Sequence, residues 1–241
     1  MMIKLKYLLP AFLLILLLPA CKKNTIQIDY KYSYFPLEIG HTLIYELDSI
    51  LYSPLYINGR DTVHWELKEV VESKFIDVEG RDAFRINRYQ RSDSSKNWKI
   101  GPVWYAVLSQ THVERVEDNL RFIRLIFPPE TGNTWLGNAY IPTGDTLDFY
   151  KDWQYTYQEV DMPADVNNLH FDSTVSIVEV DDENLLERRW STATYAKNTG
   201  LISRELYNLS FVGSTIPIGS VPWEEKANRG YIVRMKIKSF K

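Results

Sequence analysis

From His41 onward the chain alternates between apolar and polar side chains. The alternation runs through His41–Tyr52, Thr62–Val70, Ala83–Gln90, Val103–Val113, Leu120–Phe127, Trp153–Val160, Thr174–Val180, Arg189–Ala196, Leu201–Asn208 and Tyr231–Phe240. A period of two with one apolar face is the pattern of a half-buried antiparallel strand. The last run is the cleanest, with Tyr231, Val233, Met235 and Ile237 on one face and Arg234, Lys236 and Lys238 on the other. Short polar turns separate the runs, among them Asn58-Gly59, Glu79-Gly80, Glu117-Asp118-Asn119, Asp181-Asp182-Glu183-Asn184 and Lys197-Asn198-Thr199-Gly200. No segment reads as an amphipathic helix of more than three turns; across Thr146–Gln158 the alternation of Trp153, Tyr155 and Tyr157 favours a strand. Neighbouring strands joined by short turns predict a mostly β protein. The expected form is a curved antiparallel meander sheet or a barrel-like β domain, because large sheets curl or close to hide their edges.

The first twenty residues break this pattern. Lys4 and Lys6 precede an uncharged stretch, Tyr7 to Leu18, interrupted only by Pro10 and followed by Pro19-Ala20-Cys21. The stretch is shorter than the roughly 17–25 apolar residues of a membrane-spanning helix, and a positive start before a short apolar run is the signal-peptide pattern. Leu18-Pro19-Ala20-Cys21 resembles the lipobox read by lipoprotein signal peptidase, with proline a departure at a slot that usually holds a small or β-branched residue. The resemblance implies cleavage after Ala20 and lipid, palmitate included, on Cys21. Cys21 is the only cysteine of the 241 residues, so no disulfide framework can form. Each buried methylene contributes about 0.8 kcal/mol, so the two or three chains the resemblance implies would anchor the protein essentially permanently. The organisation expected is a signal peptide over 1–20, a lipidated cysteine and short tether over 21–34, and one β-rich domain over 35–241. Lys22-Lys23-Asn24 places no aspartate after the cysteine and no acidic run follows. In the enteric sorting scheme this favours the outer membrane, with the body facing the periplasm and surface exposure left open.

Without residues 1–20 the chain has 26 basic and 31 acidic side chains, a net charge of about −5. Nucleic acid is therefore not an expected partner, since phosphate neutralisation needs clustered positive charge. The 16 tyrosines and 7 tryptophans supply ample core material and a strand-like composition.

Two segments echo each other. Phe35-Pro36-Leu37-Glu38-Ile39-Gly40-His41-Thr42-Leu43 matches Phe127-Pro128-Pro129-Glu130-Thr131-Gly132-Asn133-Thr134-Trp135 in the pattern Phe-Pro-x-Glu-x-Gly-x-Thr, 92 residues apart. Two readings stay open: duplicated halves starting near 35 and 127, or two unrelated turn-into-strand punctuations. Together with Tyr195-Ala196-Lys197-Asn198-Thr199-Gly200-Leu201-Ile202, these segments resemble a broad group of uncharacterised Gram-negative outer-membrane lipoproteins and periplasmic proteins. That group shows a Pro-x-x-x-Gly-x-x-Trp start and a Tyr-Ala-x-x-x-Gly-Leu-Ile hairpin, although Leu43 replaces the usual tryptophan in the first copy. The likeness implies a curved-sheet envelope lipoprotein and brings no catalytic residues to transfer.

Catalytic signatures are missing: no nucleophile elbow, phosphate-binding or dinucleotide loop, zinc helix or calcium loop occurs. No cofactor and no enzymatic activity are expected. His64-Trp65-Glu66 and His112-Val113-Glu114 each place imidazole and carboxylate on one strand face; on adjacent strands they could hold zinc, and otherwise they are surface pairs. Asp181-Asp182-Glu183 reads as a solvated turn rather than a calcium site. The aromatics carry the ligand-contact expectation: Trp98, Trp104 and Tyr105 at one strand start, Trp153 and Tyr155 with Tyr150 and Tyr157 at another, and Trp223 after the apolar loop Phe211–Pro222. Such side chains stack on sugars or line apolar grooves, or else they pack the core.

The expected function is a membrane-anchored envelope lipoprotein with a non-enzymatic binding or structural role, its partner an envelope protein or a hydrophobic ligand. The alternatives are a glycan-binding accessory protein, which needs an exposed platform of Trp98, Trp104 and Trp153, and a hydrolase, which needs a polar cleft joining His64 or His112 to carboxylates.

Overall fold

The computed structural model describes residues 28–142, 148–213 and 221–241, with residue 148 described for its backbone alone. The expected signal peptide, Cys21, the first part of the expected tether, residues 143–147 and residues 214–220 of the apolar loop lie outside these. Among the described residues, no helix is long and apolar enough to cross a membrane.

Two six-strand meanders make up the body. The first is β1 (Thr42–Tyr52), β2 (Arg60–Ile76), β3 (Asp82–Arg91), β4 (Lys99–Leu108), β5 (His112–Glu117) and β6 (Leu120–Ile126). The second is β7 (Thr134–Trp135), β8 (Tyr155–Val166), β9 (Leu169–Glu183), β10 (Glu187–Ala196), β11 (Gly200–Ser210) and β12 (Arg229–Phe240). The spatial order is β6-β5-β4-β3-β2-β1-β12-β11-β10-β9-β8-β7, so the halves join where β1 pairs antiparallel with β12. At the far ends β6 and β7 approach: Ile123 N–H donates to Gly137 O at 2.8 Å and the Trp135 indole donates to Ile123 O at 2.9 Å. The sheet is thereby a nearly closed barrel, in line with the expected mostly β, curved meander.

The echo motifs do the same local work in each half. Gly40 donates to Val71 O of β2 at 2.8 Å, and Gly132 to Tyr157 O of β8 at 2.9 Å. Val71 N–H returns a bond to His41 O at 2.9 Å, as Tyr157 N–H does to Asn133 O at 3.1 Å. A third bond, His41 N–H to Glu38 O or Asn133 N–H to Glu130 O, closes each turn at 3.0 and 3.1 Å.

The main apolar core includes Tyr34, Phe35, Phe127, Trp135, Tyr157 and Tyr195. A smaller cluster of Tyr52, Leu209, Trp223 and Ile232 seats the short helix α1 (Trp223–Lys226).

Several boundaries differ from expectation. The tether packs sooner than residue 35: Tyr34 is fully buried and its hydroxyl donates to Asp161 Oδ1 at 2.5 Å. The expected strand Val103–Val113 is two, β4 and β5, because Ser109 Oγ accepts the N–H of His112 at 3.0 Å and caps a tight turn. Strand β7 escapes notice at two residues long. Trp153 precedes β8 rather than opening it, since Asp152 at φ 61° turns the chain there. Asp181, Asp182 and Glu183 end β9 instead of forming a turn, and arginines on β10 draw them into the ladder: Arg188 to Asp181 and Arg189 to Asp182, both at 2.5 Å.

Candidate functional site: a charged cavity inside the barrel

Period-two alternation reports which residues share a strand face, and some inward faces mix charge with apolar side chains. Phe122 shares a face with Arg124 on β6, Ile177 with Glu179 on β9, and Arg204 with Leu206 on β11. Barrel closure brings these residues together. Beside them lies a cavity of about 200 Å³, lined by Arg88, Arg115, Arg124 and Arg204 with Glu69 and Glu117, together with aromatic and aliphatic side chains.

The charges form one alternating chain. Arg88 Nε donates to Glu69 Oε1 at 3.0 Å, and Arg115 Nη2 donates to the same oxygen at 2.6 Å. Arg115 Nε lies 3.3 Å from Glu117 Oε1, which accepts from Arg124 Nη2 at 2.7 Å. Arg124 Nη1 reaches Glu179 Oε1 at 3.1 Å, and Arg204 Nη2 donates to Glu179 Oε2 at 2.8 Å. Ser191 Oγ completes Glu179 with a bond of 2.6 Å to Oε2. Burial pushes the Glu117 carboxyl up, but Arg124, Arg115 and Arg204 together outweigh it and hold its pKa at about 2. Glu179 is likewise held low, burial being overcome by Arg204, Arg124 and the Ser191 hydrogen bond. Both carboxylates stay ionised at neutral pH.

Aromatic rings back the arginines. The Arg88 guanidinium carbon lies 3.4 Å from the Trp104 ring centroid, and that of Arg124 lies 4.1 Å from the Phe122 centroid. Tyr155, fully buried, offers its hydroxyl oxygen to Arg124 Nη1 at 3.3 Å and donates to Asn138 Oδ1 at 3.2 Å.

Of the six aromatics expected to contact a ligand, the barrel brings three to this place. Trp104 and Trp153 line the cavity, and Tyr155 touches its charged chain. Trp98 lies apart, between Lys68 and Arg91. Tyr105 packs edge-on against Phe75, and Trp223 belongs to the α1 cluster. The exposed platform of Trp98, Trp104 and Trp153 does not form: Trp153 is 2% exposed, its indole N–H bonded to Phe149 O at 2.7 Å. The inner arginines and glutamates went unread because an alternating strand looks the same whichever face turns inward. The available signal was arginine or glutamate in register with large apolar residues, as in Phe122/Arg124.

The histidine pairs do not converge, since β3 and β4 separate β2 from β5. His64 is exposed and pairs with Asp48 at 2.5 Å. His112 Nε2 is 3.0 Å from Glu114 Oε1, and Ser109 Oγ is 3.1 Å from His112 Nδ1, an order that resembles a nucleophile, base and acid. The bonding is that of a turn lock: Ser109 Oγ donates to His112 O at 2.8 Å, while Arg81 Nη1 holds Glu114 at 2.9 Å.

No family model matches the chain, and no curated protein does. Two solved structures are similar in outline, both at 10% identity over 86% of this chain and 98% of theirs. One is a protein of Bacteroides fragilis described as exported and as having a YmcC-like fold, with a TM-score of 0.42. The other is a protein of Parabacteroides distasonis described as a lipoprotein, with a TM-score of 0.37.

Proposed function

We propose that this chain is a lipid-anchored lipoprotein of the cell envelope whose barrel binds a small molecule in its interior, without catalysing a reaction. The anchor rests on the lipobox-like Leu18-Pro19-Ala20-Cys21 and on Cys21 being the sole cysteine. The outer membrane, with a periplasm-facing body, is the location favoured by Lys22-Lys23-Asn24. The observation that carries the binding role is the cavity of about 200 Å³, whose lining combines fixed charges with apolar side chains. Ligand sites characteristically join apolar walls to a few well-placed polar groups. Its size suits a small molecule or one end of a larger one, since binding pockets commonly run from roughly 300 Å³ upward. Every carboxylate in the cavity's charged chain is engaged by arginine, which leaves none of them placed as a general base.

The test has two arms. Metabolic labelling with a clickable palmitate analogue should mark the wild type and not Cys21→Ala. Organic extraction and mass spectrometry of the purified protein should recover a small molecule from the wild type, absent from Val233→Phe, whose ring would fill the cavity. Label retained by Cys21→Ala overturns the anchor, and identical extracts from the two proteins overturn the binding role.

A further inference from the structure

Among the described residues, the charges inside the barrel do not balance. Four arginines, Arg88, Arg115, Arg124 and Arg204, face three glutamates, Glu69, Glu117 and Glu179, so the chain of ion pairs carries one surplus positive charge. Arg115 and Arg124 are each held between two glutamates, so the surplus falls to the ends of the chain, Arg88 and Arg204. Their side chains are 14% and 21% exposed and have one close carboxylate each. A charge largely withdrawn from water without a full counter-charge is unfavourable. Surrounding tyrosines do not supply the missing negative charge: burial raises the hydroxyl pKa of Tyr155, and that of Tyr195 to about 12, so both stay neutral.

Hydrogen-bonding capacity is left over in the same place. The Nε atoms of Arg115 and Arg204 are buried and make no hydrogen bond among the described residues, Arg115 Nε lying 3.3 Å from Glu117 Oε1 as an ion pair without hydrogen-bond geometry. Both side chains line the cavity. A buried donor without an acceptor costs on the order of 1–3 kcal/mol, more when it is charged. Guanidinium donors without a hydrogen bond, a surplus positive charge and a cavity therefore coincide. A guanidinium N–H is a strong, charge-assisted donor to carboxylate and phosphate oxygens, and each of these two arginines has its Nε–H to give. The same lining includes the apolar side chains of Leu206, Val233 and Met235 and the rings of Tyr150 and Trp153.

Resting on the reading of this cavity as a binding site, we propose that its ligand is a small amphiphile with an oxyanion head, a carboxylate or a phosphate monoester. The head meets Arg115 and Arg204 and the apolar part lies against Leu206, Val233 and Trp153.

The experiment uses the lipidated chain purified in detergent, titrated calorimetrically and followed by thermal unfolding. The probes are butyl phosphate, butanoate, inorganic phosphate, butanol and butylamine. The expected result is saturable binding of butyl phosphate and butanoate with a raised Tm, and inorganic phosphate weaker than butyl phosphate. Butanol and butylamine should bind at least tenfold more weakly than the two anions. Arg204→Gln should weaken the anions at least tenfold and leave butanol unchanged, Arg204→Lys should restore part of the loss, and Val233→Phe should abolish binding of every probe. Butanol binding as tightly as butyl phosphate would overturn the oxyanion head while the cavity remained a binding site. Anion binding indifferent to both Arg204→Gln and Val233→Phe would place it elsewhere and overturn the proposal. No binding of any probe, with Tm raised by Val233→Phe as for a filled void, would overturn this inference and the binding role together.

Discussion

Gly40 and Gly132, 92 positions apart, occupy equivalent places in the two halves of the barrel, each donating its N–H to a backbone oxygen on the second strand of its own meander. The equivalence extends to the backbone, at φ +94° for Gly40 and +86° for Gly132. Turning the strand order by six positions carries β1 onto β7 and β6 onto β12, so the two glycines open matching meanders. We propose on this ground that the halves descend from one duplicated unit.

Matched geometry implies matched energetics. Positive φ of this kind is open to glycine and unfavourable for residues with a Cβ, by about 1–2 kcal/mol. A Cβ at either glycine would meet nothing within 4 Å, so the cost of alanine there is backbone strain alone. Gly40→Ala and Gly132→Ala should each lose about 1–2 kcal/mol in urea unfolding, and the two losses should agree closely. A cost for one and not the other would show that the equivalence is only geometric.

The internal ion-pair chain predicts a larger effect at its middle. Arg124 bonds both Glu117 and Glu179, at 2.7 and 3.1 Å. Removing one member of a buried pair strands its partner, typically at a cost of about 3–5 kcal/mol. Arg124→Leu should approach that range in urea unfolding. Glu179→Leu should also destabilise, because it strips Arg204 of its hydrogen-bonded carboxylate. The double variant should lose less than the sum, because both substitutions remove the Arg124–Glu179 bond. Additive losses in the double variant would mean that the two side chains do not depend on one another.

The same residues show what was legible in the sequence and what was not. Strands such as Tyr231–Phe240 were visible because period-two alternation is a local property, fixed by the pleat. Turns at Asn58-Gly59 and Asn198 were visible because Gly59 and Asn198 adopt positive φ, where glycine and asparagine are favoured. The division at Ser109 was hidden, since a hydroxyl cap leaves no gap in an apolar run. The cavity was hidden for a deeper reason. Arg88, Arg115, Arg124 and Arg204 come from four strands, β3, β5, β6 and β11, and meet only when the sheet curls. Their surplus charge is a property of closure.

The tryptophans separate by what covers them. Trp153 packs among Phe149, Tyr150 and Tyr155 with its N–H bonded, so Trp153→Ala should cost about 3–5 kcal/mol. Trp98 is half-buried under the side chains of Lys68 and Arg91, and such cation–π contacts are worth about 0.5–1 kcal/mol at accessible sites. Trp98→Ala should therefore change urea stability by about 1 kcal/mol or less. A large loss at Trp98 would assign it a packing role that its surroundings do not support.

Glu117 sets an acid limit. Its pKa of about 2 in the folded protein lies below the roughly 4.3 of an unfolded glutamate. A depressed carboxylate contributes stability that is fully present above the unfolded value and disappears as pH falls through the folded one. The window of loss therefore runs from about pH 4.5 down to about 2, and Glu179, also held low, adds to it. Glu117→Gln removes the titrating group, and it also strips Arg124 and Arg115 of a counter-charge. That variant should be less stable than the wild type at pH 7 and should lose less on acidification, so that the two urea-midpoint curves converge towards pH 2.5. Parallel curves over that range would mean that Glu117 is not held ionised by its arginines, and the surplus charge counted inside the barrel would have to be reckoned again.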